Sequence, residues 1–567
     1  MASLLWTLLF HPFTLSICVS VEVIFFVLFY LYLIPRANSL KPSAETEEYR
    51  DFGRDRVRLL KRILDRISER CEREGSDLQQ QVEEFLGEWF ICNDKFGPVK
   101  SSGPTRDTAT VEAKEDGRCP SPNSSDDEWL AVDKPPEKSN AVSKSSALFR
   151  RGDIDNFFSW AFFGKESLDD EWERSELKKM YAVLFERVPG MDFSQPGTTH
   201  NMKPMRLTFD NVRATYRPLV VYGFIYTINL LGGFVLFCAG FRRHQSSSGL
   251  TFWFRDWKYK PLLKKEKRET NALPLLFFHG IAPGGLALYL PMILRGLGAG
   301  GRPTILFLNR PISFCPCFAA VDEDAYVSGV REAMDRHLGR DRTKENGVAL
   351  MGHSFGSCNL TWMLRCPKIR QDVRQVVLLD PVSVMLSEPD VMTNFLYKAE
   401  SVSFLDSIRS IILSPLYYTM DSIDRRPASV DGPPPKHSFC SYSSLLKGQS
   451  TKSGNANRIA IAQCELWIEH YLRRNFSWYN SELWLDHHVP KGVKVLLCIS
   501  GKDEILNPRK VHEEAIRYQE TSPNNVEIIN WDDGGHGCLV SRPACWAQIA
   551  SLMRRQEIQL SRSKKFR

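Results

Sequence analysis

The chain has 567 residues, 43% of them apolar and 25% charged, a balance that fits a folded protein and excludes global disorder. Its net charge of +7 is small for that length and gives no footprint of nucleic-acid binding. Fourteen cysteines are scattered without a CxxC pair, the tightest spacing being Cys315-Pro316-Cys317, so no zinc module is expected and the thiols read as reduced, buried apolar groups.

Residues 1–40 are predicted to be a membrane anchor. From Phe13 to Ile34 the chain is almost wholly apolar, about the twenty residues that a helix needs to cross a bilayer. No basic residue precedes the run and no good small-residue cleavage site follows it, which argues against a signal peptide. Glu22 is its one carboxylate, and at mid-bilayer it would cost about 3 kcal/mol, which the large apolar neighbours can offset. Residues 41–217 read as a helical region. It carries an apolar stripe through Leu59, Leu60, Ile63, Leu64 and Ile67 and an aromatic cluster at Phe157, Phe158, Trp160, Phe162 and Phe163. Residues 100–146, rich in Ser, Pro, Asp and Lys, interrupt it as a disordered insertion.

A second apolar segment covers 218–241, weakened as a span by Asn229 and the Gly232-Gly233 pair. It fits an interfacial or re-entrant helix, or one packed on a folded domain, as well as a crossing one. Basic residues follow both apolar runs, Arg36 and Lys41 after the first and Arg242, Arg243 and Arg255 after the second. Two consecutive crossings cannot put both flanks in the cytosol, so the expectation is one spanning anchor, a second segment that does not cross, and a cytosol-facing domain on the endoplasmic reticulum or another endomembrane. The basic tail with Arg562, Lys564, Lys565 and Arg567 would suit an anionic leaflet.

Residues 242–272 read as a basic linker. From Leu273 onward short apolar runs (PLLFFHG, TILFLN, GVALMG, VVLLD, KVLLCISG, VEIINW) alternate with helical stretches, predicting an α/β domain over 273–567 with a mostly parallel sheet flanked by helices. More than a hundred residues separate VVLLD from KVLLCISG, so 381–492 reads as a cap or lid, with a Pro/Ser/Gly-rich insertion at 424–457.

The chemistry sits at the ends of these runs. Gly352-His353-Ser354-Phe355-Gly356 follows a strand and opens a helix, the G-x-S-x-G turn that lifts a serine hydroxyl clear of a sheet. The turn is too tight for side chains two residues either side of the serine, and it leaves the Phe355 N–H at a helix N-terminus, aimed at a developing oxyanion. A serine needs a base, and His536 in a Gly-rich loop after the last run is the candidate. Asp503, after the preceding run, is the orienting acid; Asp380, closing VVLLD, is its rival. His353 is read as a support of the elbow. His279-Gly280-Ile281, after PLLFF, matches the HG loop whose main chain supplies the second oxyanion donor, assigned to Ile281.

Over about residues 273–555 these motifs resemble the α/β-hydrolase superfamily, and FFSWAFFGKE and RLTFDNV resemble the N-terminal part of membrane-anchored eukaryotic hydrolases of unassigned substrate. The resemblance implies an α/β-hydrolase fold with Ser354 as nucleophile, His536 as base and Asp503 as acid. The implied function is a membrane-associated serine hydrolase that cleaves carboxylic esters, lipid esters among them, with no cofactor and no metal. Thioester cleavage or acyl transfer on the same site, and a silent hydrolase-fold binding protein, are the competing expectations.

Overall fold

Eight strands form one sheet: β1 Arg242–Gln245, β2 Thr251–Arg255, β3 Leu275–Phe278, β4 Thr304–Leu308, β5 Val348–His353, β6 Val373–Leu379, β7 Lys494–Ser500 and β8 Val526–Trp531. The computed structural model describes residues 12–39, 56–92, 149–199, 202–256, 272–297, 302–398, 459 and 461–565. The insertions expected at 100–146 and 424–457 lie outside the described residues.

The spatial order is β1-β2-β4-β3-β5-β6-β7-β8, parallel from β4 to β8, with β2 antiparallel to both β1 and β4. That is the strand order of the α/β-hydrolase fold. Successive side chains of a strand face opposite sides, and both sides here are core. Leu276, Phe278, Ile305, Phe307 and Leu350 join one layer, covered by α8 (Glu323–His337) and α11 (Pro508–Thr521). Leu275, Phe277, Leu306, Ala349 and Met351 join the other, covered by α12 (Pro543–Lys565). This explains the unbroken apolar runs.

Two expectations need correction. Residues 242–255 are not linker but the first two strands, so the sheet begins about thirty residues before Leu273. β1 is the edge strand and keeps Arg242 and Arg243 in solvent, while β2, paired on both sides, buries Thr251 and Phe252; the basic composition of the stretch hides both strands. The cap is also larger than 381–492. Helices α3 (Arg56–Glu74), α4 (Leu78–Gly87), α5 (Arg151–Phe163) and α6 (Glu171–Arg187) bury Leu60, Ile63, Phe157 and Trp160 in one cluster with Val382, Leu386, Phe395, Leu472 and Phe476 of the insertion. The apolar stripe of α3 therefore finds its partner in the cap. Buried ion pairs join the two parts: Arg66 to Glu482 at 2.9 Å and Arg70 to Glu388 at 3.2 Å. Removing Arg66 would strand the buried Glu482 charge at a cost of about 3–5 kcal/mol, whereas Glu388 keeps Lys510 at 2.7 Å when Arg70 is lost.

At the N-terminus α1 (Pro12–Leu28) continues through a π-helical turn, Phe29–Leu33, into α2 (Ile34–Ser39). A second apolar helix, α7, spans Leu219–Cys238. Both stretches are long and apolar enough to cross a membrane by length and composition. Glu22 is not stranded among apolar side chains. Its carboxylate accepts the Leu219 N–H at 3.1 Å and the Tyr216 hydroxyl, so it satisfies an orphan donor in the first turn of α7 and complements that helix's dipole. Phe29 and Ala37 are buried with Tyr222, Leu466 and Trp467, which seats the second half of this N-terminal stretch on the cap.

Candidate active site

The turn between β5 and helix α9 (Gly356–Arg365) holds Ser354 at φ +50°, a left-handed conformation that costs an ordinary residue energy and persists only under surrounding constraint. Ser357 Oγ donates to Ser354 O at 2.6 Å, and the Ser354 N–H donates to Leu379 O at 2.9 Å, which pins the turn from both sides. A Cβ on Gly352 would lie 2.7 Å from Gly356 O, and one on Gly356 would lie 2.1 Å from Phe278 O. Glycine at both positions is thus a packing requirement of the turn.

The loops after β7 and β8 bring two more side chains to the serine. His536 Nε2 is 2.8 Å from Ser354 Oγ, and His536 Nδ1 is 2.6 Å from Asp503 Oδ2. The other Asp503 oxygen accepts the N–H groups of Ile505 at 2.8 Å and Leu506 at 3.0 Å, so the carboxylate cannot swing without losing main-chain bonds. Burial alone would lower the imidazole's pKa. The Asp503 charge and hydrogen bond, with Asp380 and Glu504 nearby, outweigh it and raise His536 to about 9. Asp503, His536 and Ser354 thus form one hydrogen-bonded line.

Asp380, the rival acid, is fully buried behind that line. It accepts the Ser500 N–H at 2.8 Å, the Ser500 hydroxyl at 3.0 Å and the Gly537 N–H at 3.0 Å. It therefore ties the His536 loop to the end of β7, while Asp503 holds the imidazole. Burial, with the Asp503 charge close by, pushes the Asp380 carboxyl up to about 7. Among the described residues Asp380, Asp503 and His536 are the one cluster with metal-ligand spacing, within 4.8 Å of one another. Both ring nitrogens of His536 and the Asp503 carboxylate are already engaged in the bonds above, so the donors are committed within the protein.

His279 and His353 stand behind the loops. His279 Nε2 accepts the Asn309 N–H at 3.0 Å, which leaves the proton on Nδ1 for Gly280 O at 2.7 Å; burial lowers its pKa to about 4 and keeps it neutral. The Tyr289 hydroxyl accepts the Gly280 N–H at 2.9 Å and can donate to His353 Nδ1 at 2.8 Å. Burial holds His353 well below its ordinary pKa. Both histidines position the HG loop. Tyr289 was not anticipated from the sequence, where nothing distinguishes it from a core tyrosine.

Ser354 and His536 open on a cavity of about 190 Å³ that Ile281 and Phe355 also line. No acceptor among the described residues takes the main-chain N–H of either Ile281 or Phe355. Its remaining walls are almost all apolar: Val382, Leu386, Met392 and Phe395 from the stretch after β6, Leu472 and Phe476 from the end of α10 (Leu466–Arg474) and beyond it, and Ile228 from α7. Leu472 and Phe476 are the cap residues of this helical stretch that line the cavity. Trp467, Ile468 and Tyr471 are buried elsewhere, Trp467 against Phe318 at a ring-centroid distance of 4.7 Å.

No protein-family model matches this chain, and no curated protein matches it in sequence. Solved structures that it resembles include a putative aryl esterase from Burkholderia cenocepacia, at 14% identity over 56% of this chain and 98% of that one, with a TM-score of 0.32. A membrane phospholipase A described as a bacterial virulence factor is 15% identical over 60% of this chain and 93% of that one, with a TM-score of 0.33. Carboxylesterase CesB from Bacillus subtilis is 10% identical over 59% of this chain and 98% of that one, with a TM-score of 0.30. The strand order, and not these distant likenesses, defines the fold.

Proposed function

We propose that this protein is a membrane-associated serine hydrolase that cleaves carboxylic esters through an acyl-enzyme. The observation that carries this reading is the line of hydrogen bonds from Asp503 through His536 to Ser354, facing an apolar cavity. In this reading Ser354 Oγ attacks the ester carbonyl carbon while its proton passes to His536 Nε2. The tetrahedral oxyanion is held by the Phe355 and Ile281 N–H groups, each worth about 10² to 10³ in rate. The C–O bond to the alcohol then breaks, and the departing alkoxide takes the proton from His536. Water, deprotonated by the same imidazole, attacks the acyl-enzyme and releases the acid and free Ser354. Asp503 holds the tautomer and balances the imidazolium charge. The apolar walls favour an acyl chain as the group bound beside the serine.

Membrane attachment through α1 belongs to the same proposal, with the α/β domain on the cytosolic side as the basic flanks suggest. The test is covalent labelling with a fluorophosphonate probe. The full chain should be labelled and Ser354→Ala should not. Equal labelling of both would refute the assignment of the nucleophile.

A further inference from the structure

Helix α7 is built into the candidate site and also presents a charge-free face to its surroundings. On one side Val221, Tyr222, Ile225, Gly232 and Leu236 are buried. A Cβ on Gly232 would lie 2.7 Å from the Ala287 Cβ, so only glycine lets the helix approach the turn Gly285–Tyr289 that follows the HG loop. Ile228, on this side, is part of the wall of the Ser354 cavity together with Pro283 and Leu288. On the other side Tyr226, Leu230, Leu231 and Phe234 are 64, 56, 60 and 65% exposed, and no residue from Leu219 to Cys238 is charged.

Both ends of α7 are tied to one folded body. Before it, Arg217 donates to Ile461 O and Gln463 O of the cap. After it, Arg242 enters β1 of the central sheet. A twenty-residue helix is about 30 Å long, and this one lies along the domain for that length. It cannot cross a bilayer unless the domain does. The apolar α1 meets it at Glu22 and Leu219, with Val23, Ile24, Val27 and Leu31 exposed beyond, and Arg242 and Arg243 stand in solvent just after its last turn, where anionic headgroups would be.

We propose that α7 lies in the plane of a bilayer with its outer face in lipid, and that the acyl chain of a membrane-resident ester reaches Ser354 past Ile228 without passing through water. The substrate class is then a membrane lipid ester and not a water-soluble one. This rests on the ester-hydrolase reading and deepens it. The experiment uses full-length Ser354→Ala protein in phosphatidylcholine vesicles containing a phosphatidylcholine with a photoreactive group at the acyl terminus, with adducts mapped by mass spectrometry. Adducts are expected on α7 and also on the peptides carrying Leu288 and Phe395, which line the cavity. The cavity adducts should fall at least tenfold when Leu231→Lys and Phe234→Lys are added. Adducts on α7 alone would overturn the route. An unlabelled α7 that instead cross-links to a second copy of the chain would overturn the lipid contact. The probe is never cleaved, so this outcome is independent of the hydrolysis reading, which fluorophosphonate labelling tests separately.

Discussion

Replacing Asp503 by Asn separates the two buried acids. Asp503 Oδ1 accepts two main-chain N–H groups, from Ile505 and Leu506, and Oδ2 faces His536 Nδ1. An amide can keep only one oxygen, and the two N–H groups hold it on their side. Its NH₂ then points at Nδ1, which must become an acceptor, so the ring proton moves to Nε2 and His536 can no longer take the proton of Ser354. The same substitution in the trypsin triad costs about 10⁴ in kcat, so a loss of about 10³ to 10⁴, roughly 4 to 5.5 kcal/mol, is expected here. The main-chain bonds survive, so the melting temperature should hardly change. Asp380→Asn predicts the reverse split. Its carboxylate accepts three hydrogen bonds, from the Ser500 N–H, the Ser500 hydroxyl and the Gly537 N–H. An amide leaves one of the two N–H groups facing a donor, a penalty of about 1–3 kcal/mol in stability. Its rate loss should stay near tenfold or less, about 1.4 kcal/mol of barrier. Initial rates on a p-nitrophenyl ester and thermal melts of both variants decide the matter. If Asp380→Asn loses more rate than Asp503→Asn, the orienting role belongs to Asp380 and the reasoning is wrong.

The pH profile follows from the raised pKa of His536. Only the neutral ring can accept a proton, so kcat/KM should rise with pH and reach half its maximum on the alkaline side of neutrality, near the pKa of about 9; a limb at or below pH 6.5 would contradict the part given to the Asp503 charge. Gly280→Ala should cut kcat by about 10² or more, because the new Cβ would sit 2.8 Å from the Ser354 Cβ and 2.9 Å from His353 O and must displace the loop that presents Ile281. Wild-type turnover in that variant, with the fold verified by circular dichroism, would remove Ile281 from the oxyanion site.

Local sterics made part of this protein readable from its residues alone. A serine on a tight strand-to-helix turn needs glycine at 352 and 356 whatever surrounds it, and strands buried on both faces must be apolar throughout, so the elbow and the inner sheet announce themselves. Chain order then singled out Asp503 and His536, which the structure brings within hydrogen-bond distance in line with Ser354. Other features depend on neighbours far along the chain. Edge strand β1 keeps Arg242 and Arg243 in solvent and β2 follows it closely, so this basic stretch passed for a linker. The cap draws much of its core from residues between Leu59 and Phe193, far before the insertion, and no local pattern shows which stripe meets which. Glu22 looked like a penalty in an apolar helix until folding set it against the first turn of a second helix 197 residues away. Asp380 and Asp503 both follow strands, and although chain order favours Asp503, it is the loops around them, one closing on Gly537 and the other turning on Ile505 and Leu506, that set Asp503 against the imidazole. Ile228 joins the cavity for the same reason, since a side chain's role in a pocket depends on what folds across from it.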